Sequence, residues 1–534
     1  MSLKLLSAAL LAGASTFALL PGAAAADGHV PASCNRANNN IDKLLDCVTV
    51  DGVRRHQAAF QAAADANGGT RASGFQGYDD SVDYVVAQLE AAGYTPEIQP
   101  FDYVIFLELA AATLEQTAPD AVPYEYLTDF FTMTYSGSTG GVPVTAPVTA
   151  VDLDLGEGNA STSGCEAEDF AAFPAGNIAL LQRGACSFQQ KAENAEAAGA
   201  VGVIIFNQGN APGRDVLFGG TLSADYTGDL PVVSMTYDLG VALSEIEGLE
   251  LAFGTSTLRT PQTTVNIIAE TKFGDANNVV MVGAHLDSVT AGPGIQDNGS
   301  GSAAILETAI MLAKTPTKNK LRFAWWGAEE SGLIGSTFYV NDLINRFFDE
   351  GDEAIFDIAM YLNFDMIGSP NYVFKIYDGD DSDGVGAGPG PDGSAAIEAF
   401  FERFYEAEGE PYKGTDFSGR SDYGPFIDLA GIPAGGLFTG AEEIKTEEEA
   451  AIWGGTAGDQ LDPCYHIECD TFDNINLHAY AVNSRAVAAS TLYFAQNTSE
   501  VNGGEAKGNF KDADKALRRY ENGIMEQTGH VFTK

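Results

Sequence analysis

Six side chains in the second half of the chain have the types and order needed to hold and use a metal ion. They are His285 and Asp287 in His285-Leu286-Asp287, Asp297 in Gly294-Ile295-Gln296-Asp297-Asn298-Gly299-Ser300-Gly301, the pair Glu329-Glu330, and Asp365. An imidazole can ligate a metal. Residues two apart in extended chain point the same way, so Asp287 can reach the other ring nitrogen of His285 and fix its tautomer. Glycines on both sides of Asp297 let the backbone turn tightly, so its carboxylate can project into a site. Each feature alone has a plain explanation: an Asp after a strand is usually a cap or turn residue, and a Glu-Glu pair a solvated face. Five carboxylates and an imidazole crowded together would repel unless cations neutralise them. Histidine and carboxylate donors without thiolate suit a catalytic zinc site better than a structural one.

Crowding requires elements that bring these residues to one place. Val279–Ala284 is a continuous apolar run, as a buried parallel strand requires. Leu321–Trp326 and Ile355–Phe364 are the next two expected strands, with helical patterns at Ser302–Lys314 and Leu333–Phe348 between them. This βαβαβ order predicts a parallel sheet with right-handed crossovers. Ligands in open α/β sheets bind beyond the carboxyl ends of the strands. His285, Glu329-Glu330 and Asp365 each follow one of these strands, so all three strands deliver to the same edge. A further helix is expected near Ala395–Ala407.

Upstream, 34–66 and 78–92 read as helices and Glu97–Ile105 as a strand. Residues from about 130 to 262 have a different texture, with short β-runs at Val144–Val151, Ile178–Leu181, Val201–Phe206 and Leu230–Met235 among Gly and Pro turns, and one helix at Phe188–Ala198. The expected organisation is a signal peptide over 1–26, the N-terminal part of a catalytic domain over 27–130, an inserted β-rich domain over 131–262, the main catalytic domain over 263–497, and a polar tail over 498–534.

The signal-peptide reading rests on Lys4, the apolar run Leu5–Leu20, and Ala24-Ala25-Ala26 before Asp27. No later stretch is long enough to cross a bilayer, so the expectation is an exported protein without membrane insertion, extracellular or periplasmic. Six cysteines then meet an oxidising compartment, which favours disulfides. Six allow 15 pairings; local proximity suggests Cys34–Cys47, Cys165–Cys186 and Cys464–Cys469. The 28 basic against 74 acidic residues give a net charge of −46. Such a surface repels phosphate backbones, which excludes nucleic acid as an expected partner. It is either an ordinary solvated face or an adaptation to salt.

Of the six histidines, His466 stands in Cys464-Tyr465-His466-Ile467-Glu468-Cys469. A disulfide across that segment would stiffen the loop presenting it, though a lone His is more often an ordinary surface residue.

The segments Gly283–Ser288, Gly294–Gly301, Trp326–Ser336, Asn363–Met366, Gly435–Ala441 and Cys464–His466 together resemble the co-catalytic di-zinc aminopeptidases. Gly68–Arg71 followed by Gly77-Tyr78 is also similar. Leu181–Phe188 and Ala198–Ile205 resemble a protease-associated domain, an insert placed as in vacuolar aminopeptidase Y. The resemblance implies a mostly parallel twisted sheet flanked by helices, of the zinc peptidase, phosphorylase/hydrolase-like kind. It implies two Zn²⁺ per chain: one on His285, Asp297 and Asp365, the other on Asp297, Glu330 and His466, with Asp297 bridging. Glu329 would be the general base, Tyr465 an oxyanion donor and Asp287 an orienting partner. Arg420 would help place the substrate and Phe438 line its pocket. The substrates implied are peptides with free N-termini and bulky apolar first residues. Gln296, where a smaller Asn is common, and Tyr423, where His often sits, depart from the pattern. Inactive receptor ectodomains share such a scaffold, but those are expected to lack ligands or the base. Carboxypeptidase, dipeptidase or glutaminyl-cyclising chemistry is a further alternative.

Overall fold

The expected buried strands form the middle of the principal sheet. Asp275–His285 is buried from Asn278 onward. It lies between Asn319–Trp326 and Ile358–Phe364, parallel to both. Ile358–Phe364 pairs in parallel with Ala434–Phe438. In register, Trp326 faces His285, Asn363 faces Gly283 and Phe364 faces Leu437, so the carboxyl ends finish along one edge. Lys375–Tyr377 and Lys413–Thr415 extend the sheet on one side. This computed structural model describes residues 30–211 and 213–503. The expected signal peptide and the tail from residue 504 lie outside them.

On the other side, Glu250–Glu270 runs antiparallel to Asn319–Trp326 and forms a long ribbon with Glu97–Ala118. The ribbon leads into a second group of strands: Val144–Ala150, Ile178–Gln182, Gly202–Phe206, Val232–Met235 and Phe130–Thr132. This group has its own apolar cores, one around Phe170, Phe188, Val203 and Ile205. Among the described residues, no helix is long and apolar enough to cross a membrane.

Adjacent residues in a strand face opposite sides of a sheet. Trp325 and Trp326 accordingly belong to different cores, and both are fully buried. Their indole N–H groups donate to the Ser302 carbonyl and the Tyr361 hydroxyl, as burial requires. Truncating either to Ala would cost about 3–5 kcal/mol. Helix Gly299–Leu312 is buried at every position but Ile310. Its start fits against the strand end only because residue 301 is glycine: a Cβ there would lie 2.0 Å from the Phe364 carbonyl oxygen. Asn298 caps the helix at the Gly301 N–H and donates to the Phe364 carbonyl. Asp297 is thereby held beside Asp365.

Two expectations change. The helix over 34–66 is two helices, Ile41–Leu45 and Val50–Ala66, begun separately by Asn40 and Thr49 caps. The strand at Glu97–Ile105 runs on to Ala118, because Glu250–Glu270 supplies pairing along its length. The three disulfides join Cys34–Cys47, Cys165–Cys186 and Cys464–Cys469, the pairing local proximity suggests.

Candidate metal centre

Asp297 sits between the two histidines. Its Oδ1 lies 3.1 Å from His285 Nε2 and its Oδ2 lies 2.9 Å from His466 Nε2. His285 Nε2 is also 3.3 Å from Asp365 Oδ1, and His466 Nε2 is 3.2 Å from Glu330 Oε2. Two donor groups result, sharing one carboxylate. Glu329 Oε2 lies 3.9 Å from His285 Nε2. Ligating atoms of His285, Glu329 and Asp365 all fall within 4.8 Å of one another, as do those of His285, Asp297 and Glu330.

The electrostatics follow from burial and crowding. Burial alone would discharge the imidazoles, but the carboxylates outweigh it. Glu330 and Asp297 push His466 up to about 9, and Asp365 and Glu329 hold His285 well above its ordinary value. Burial would raise Asp297, yet the two imidazoles hold it below the usual carboxylate range. The group therefore demands positive charge among its carboxylates. Nitrogen and carboxylate donors without thiolate fit zinc.

The supports reach well beyond the six residues. Asp287 accepts the backbone N–H groups of Glu329 and Glu330 at 3.2 and 3.4 Å. His285 Nδ1 lies 3.2 Å from the Asp287 carbonyl oxygen and 3.6 Å from its carboxylate. Asp287 thus clamps the Glu329-Glu330 turn as well as orienting the ring. Ser421 donates to Asp365 Oδ2 at 2.6 Å and is held by Asn363.

His466 has a positive φ of 60° and lies inside the Cys464–Cys469 loop. Its ring stacks on Tyr465 with centroids 3.7 Å apart. Arg420 donates to the Tyr465 hydroxyl at 3.3 Å and to Glu442 at 2.6 Å. A cavity of about 240 Å³ opens beside the group, with Glu329, Asp365, Tyr377, Arg420, Phe438 and Tyr465 in its lining. All the side chains singled out in the sequence therefore meet at this edge or in the loop that serves it.

Residues 266–491 match the model of peptidase family M28, and residues 144–243 match that of the PA domain. An aminopeptidase of Pseudomonas aeruginosa is 49% identical over 493 residues, covering 92% of this chain and 89% of that protein. The chain belongs to peptidase family M28. Leucine aminopeptidase 2 of Trichophyton rubrum is 39% identical, covering 86% of this chain and 85% of its own length. Among solved structures, the aminopeptidase from Aneurinibacillus sp. strain AM-1 matches with a TM-score of 0.65 and 26% identity, covering 86% of this chain and 97% of that one.

Three buried residues of this M28 peptidase escaped the sequence reading as site residues. Asp470 accepts the N–H groups of Gln296 and Asp297. Arg71 donates to the carbonyls of Leu286, Pro293 and Gly294, bracing both loops that carry ligands. Asp422 is buried beside Glu329, and burial and that glutamate raise its pKa well above the carboxylate range. Arg71 and Asp422 lie in segments that the family resemblance touches, but nothing in their spacing marks a role. Asp470 carries no signal beyond following Cys469. Of the two departures, Gln296 is buried and donates to Ser369. Tyr423 lines the cavity, its hydroxyl accepting the Gly419 N–H.

Proposed function

We propose that this M28 peptidase is a zinc aminopeptidase that removes the first residue from peptides with a free N-terminus. The observation that carries the reading is the single carboxylate of Asp297 facing one imidazole with each oxygen, with Glu329 beside it. His285, Asp297 and Asp365 would hold one zinc ion; Asp297, Glu330 and His466 would hold the second. Zinc bound there supplies Lewis acidity to the scissile carbonyl and lowers the pKa of water toward neutrality.

The chain's own groups do the rest. Glu329 takes a proton from the attacking water and returns it to the leaving amine. Its turn is fixed from behind by Asp287, so its carboxylate is aimed before substrate arrives. Tyr465 donates to the oxygen that becomes negative, worth roughly 3 kcal/mol for such a donor. Arg420 donates to the Tyr465 oxygen, which steadies the hydroxyl at the cavity wall. The carboxylates around the centre favour the substrate's ammonium. Phe438 and Tyr377 give the cavity apolar walls, which suits bulky apolar first residues. The leader sequence and three disulfides support export.

The test compares leucyl-p-nitroanilide with its N-acetylated form and measures zinc by metal analysis. The reading expects two zinc ions per chain and turnover that requires the free amine. Equal cleavage of the acetylated substrate, or full turnover in the zinc-free protein, would overturn it.

A further inference from the structure

The inserted domain reaches the turn that carries Glu329. Tyr135 belongs to the insert's apolar core with Met133, Phe170 and Phe188, and is 1% exposed. Its hydroxyl donates at 3.0 Å to the carbonyl of Ser331, two residues after Glu329.

That turn is tightly wound. The N–H groups of Gly332 and Leu333 both donate to the Glu329 carbonyl, at 2.7 and 2.8 Å. Ala328 and Leu333 bracket it with φ of 53° and 58°, left-handed conformations that non-glycine residues hold only where their surroundings enforce them. The surroundings are visible. Ser73 accepts the Ala328 N–H at 2.7 Å, and Asp287 accepts those of Glu329 and Glu330. The Ala328 methyl packs against Phe101, Tyr103 and Ile105 of the ribbon strand. These restraints act on the first half of the turn. Ser331, in the second half, is only partly buried, and its carbonyl is held by the insert.

We propose that the insert is a working part of the active site: Tyr135 is a positioning residue that fixes the Glu329 turn through the Ser331 carbonyl. The inference rests on reading Glu329 as the general base. A shield over the cleft would change which peptides enter. A brace on the turn instead changes the rate of proton transfer for every substrate, short or long.

The test is Tyr135→Phe, which keeps the ring and removes the hydroxyl. Kinetics are measured on leucyl-p-nitroanilide and on a long peptide, with zinc content and thermal melts alongside. One hydrogen bond of ordinary worth predicts a fall in kcat of about three- to tenfold. The fall should be equal on both substrates, with KM and zinc content unchanged. In a Glu329→Gln background the same change should cost nothing further, since the group it positions is gone. Phe170→Leu loosens the insert's core but leaves the hydroxyl in place, so it should lower the melting temperature and spare kcat. Unchanged kcat in Tyr135→Phe beside an inactive Glu329→Gln would overturn this inference alone. So would a loss confined to the long peptide, or an equal loss in Phe170→Leu. A Glu329→Gln protein of full activity would overturn the base assignment and this inference with it.

Discussion

The carboxylate of Asp470 accepts the backbone N–H of Asp297 at 3.0 Å, and with it the N–H of Gln296 at 2.8 Å. Asp470 immediately follows Cys469, so the loop that presents His466 also fixes the loop that presents Asp297. Burial, reinforced by Asp462, raises its pKa to about 8. Asp470→Ala would leave two buried N–H groups without this acceptor, at about 1–3 kcal/mol each. The expected result is a lower melting temperature and zinc affinity weaker by roughly ten- to a hundredfold. Asp470→Asn keeps an oxygen acceptor and should lose less. Titration against a competing chelator checks both; an unchanged zinc affinity in Asp470→Ala would show that the loop holds its shape unaided.

Asp287 has two jobs, and they separate in a measurement. Its carboxylate lies 3.6 Å from His285 Nδ1, and removing that charge in Asp287→Ala, with the backbone carbonyl contact kept, predicts zinc affinity reduced by about tenfold or more. Its grip on the Glu329 and Glu330 N–H groups predicts a further loss. kcat should stay low even at saturating zinc, because the base is no longer aimed. If excess zinc restores the full wild-type rate, the clamp on the turn has no catalytic weight.

The three central strands are legible in the sequence because Val279–Ala284 is an unbroken apolar run and the other two are mostly apolar, and their carboxyl ends fix where His285, Glu329 and Asp365 must go. The far half of the first ribbon strand is not. Glu108 to Ala111 are all exposed and carry no strand alternation; pairing with Glu250–Glu270 makes them a strand, and pairing partners are invisible in a local window. His466 is a residue of the same kind. It sits on an irregular loop far along the chain, so only the family resemblance ties it to Asp297. Asp470 and Arg71 act on backbone groups, whose positions follow from the assembled fold and not from any spacing of side-chain types.

Arg420 donates both to the Tyr465 hydroxyl and to the Glu442 carboxylate. Removing an oxyanion donor typically costs a hundredfold or more in kcat. Tyr465→Phe should therefore lower kcat on leucyl-p-nitroanilide by about that factor, with KM little changed. Arg420→Ala leaves the hydroxyl present but less fixed, so a smaller loss in the same direction is expected. A larger effect in Arg420→Ala than in Tyr465→Phe would mean that Arg420 contacts the substrate itself.

Lys191 gives the insert a pH dependence of its own. The residue is fully buried, its ammonium donates to the Ser163 carbonyl, and it lies 3.6 Å from Cys165 Sγ. Burial pushes its pKa down to about 8 from 10.5, with Asp169 and Glu166 offsetting part of the shift. The unfolded chain thus binds this proton more tightly than the folded one. The penalty for burying the charge is full below pH 8 and vanishes as pH rises through 10.5, so this residue's contribution to stability improves with pH across that window. The shift corresponds to roughly 3 kcal/mol. Lys191→Met loses one hydrogen bond at every pH but carries no such penalty. Its stability relative to wild type should therefore be most favourable near neutrality and decline steadily toward pH 10.5. Taking the difference between the two proteins cancels the titration of the surrounding tyrosines. Melts at intervals across the window decide it: a difference that stays flat from pH 8 to 10.5 would mean that Lys191 keeps its ordinary pKa inside the folded insert.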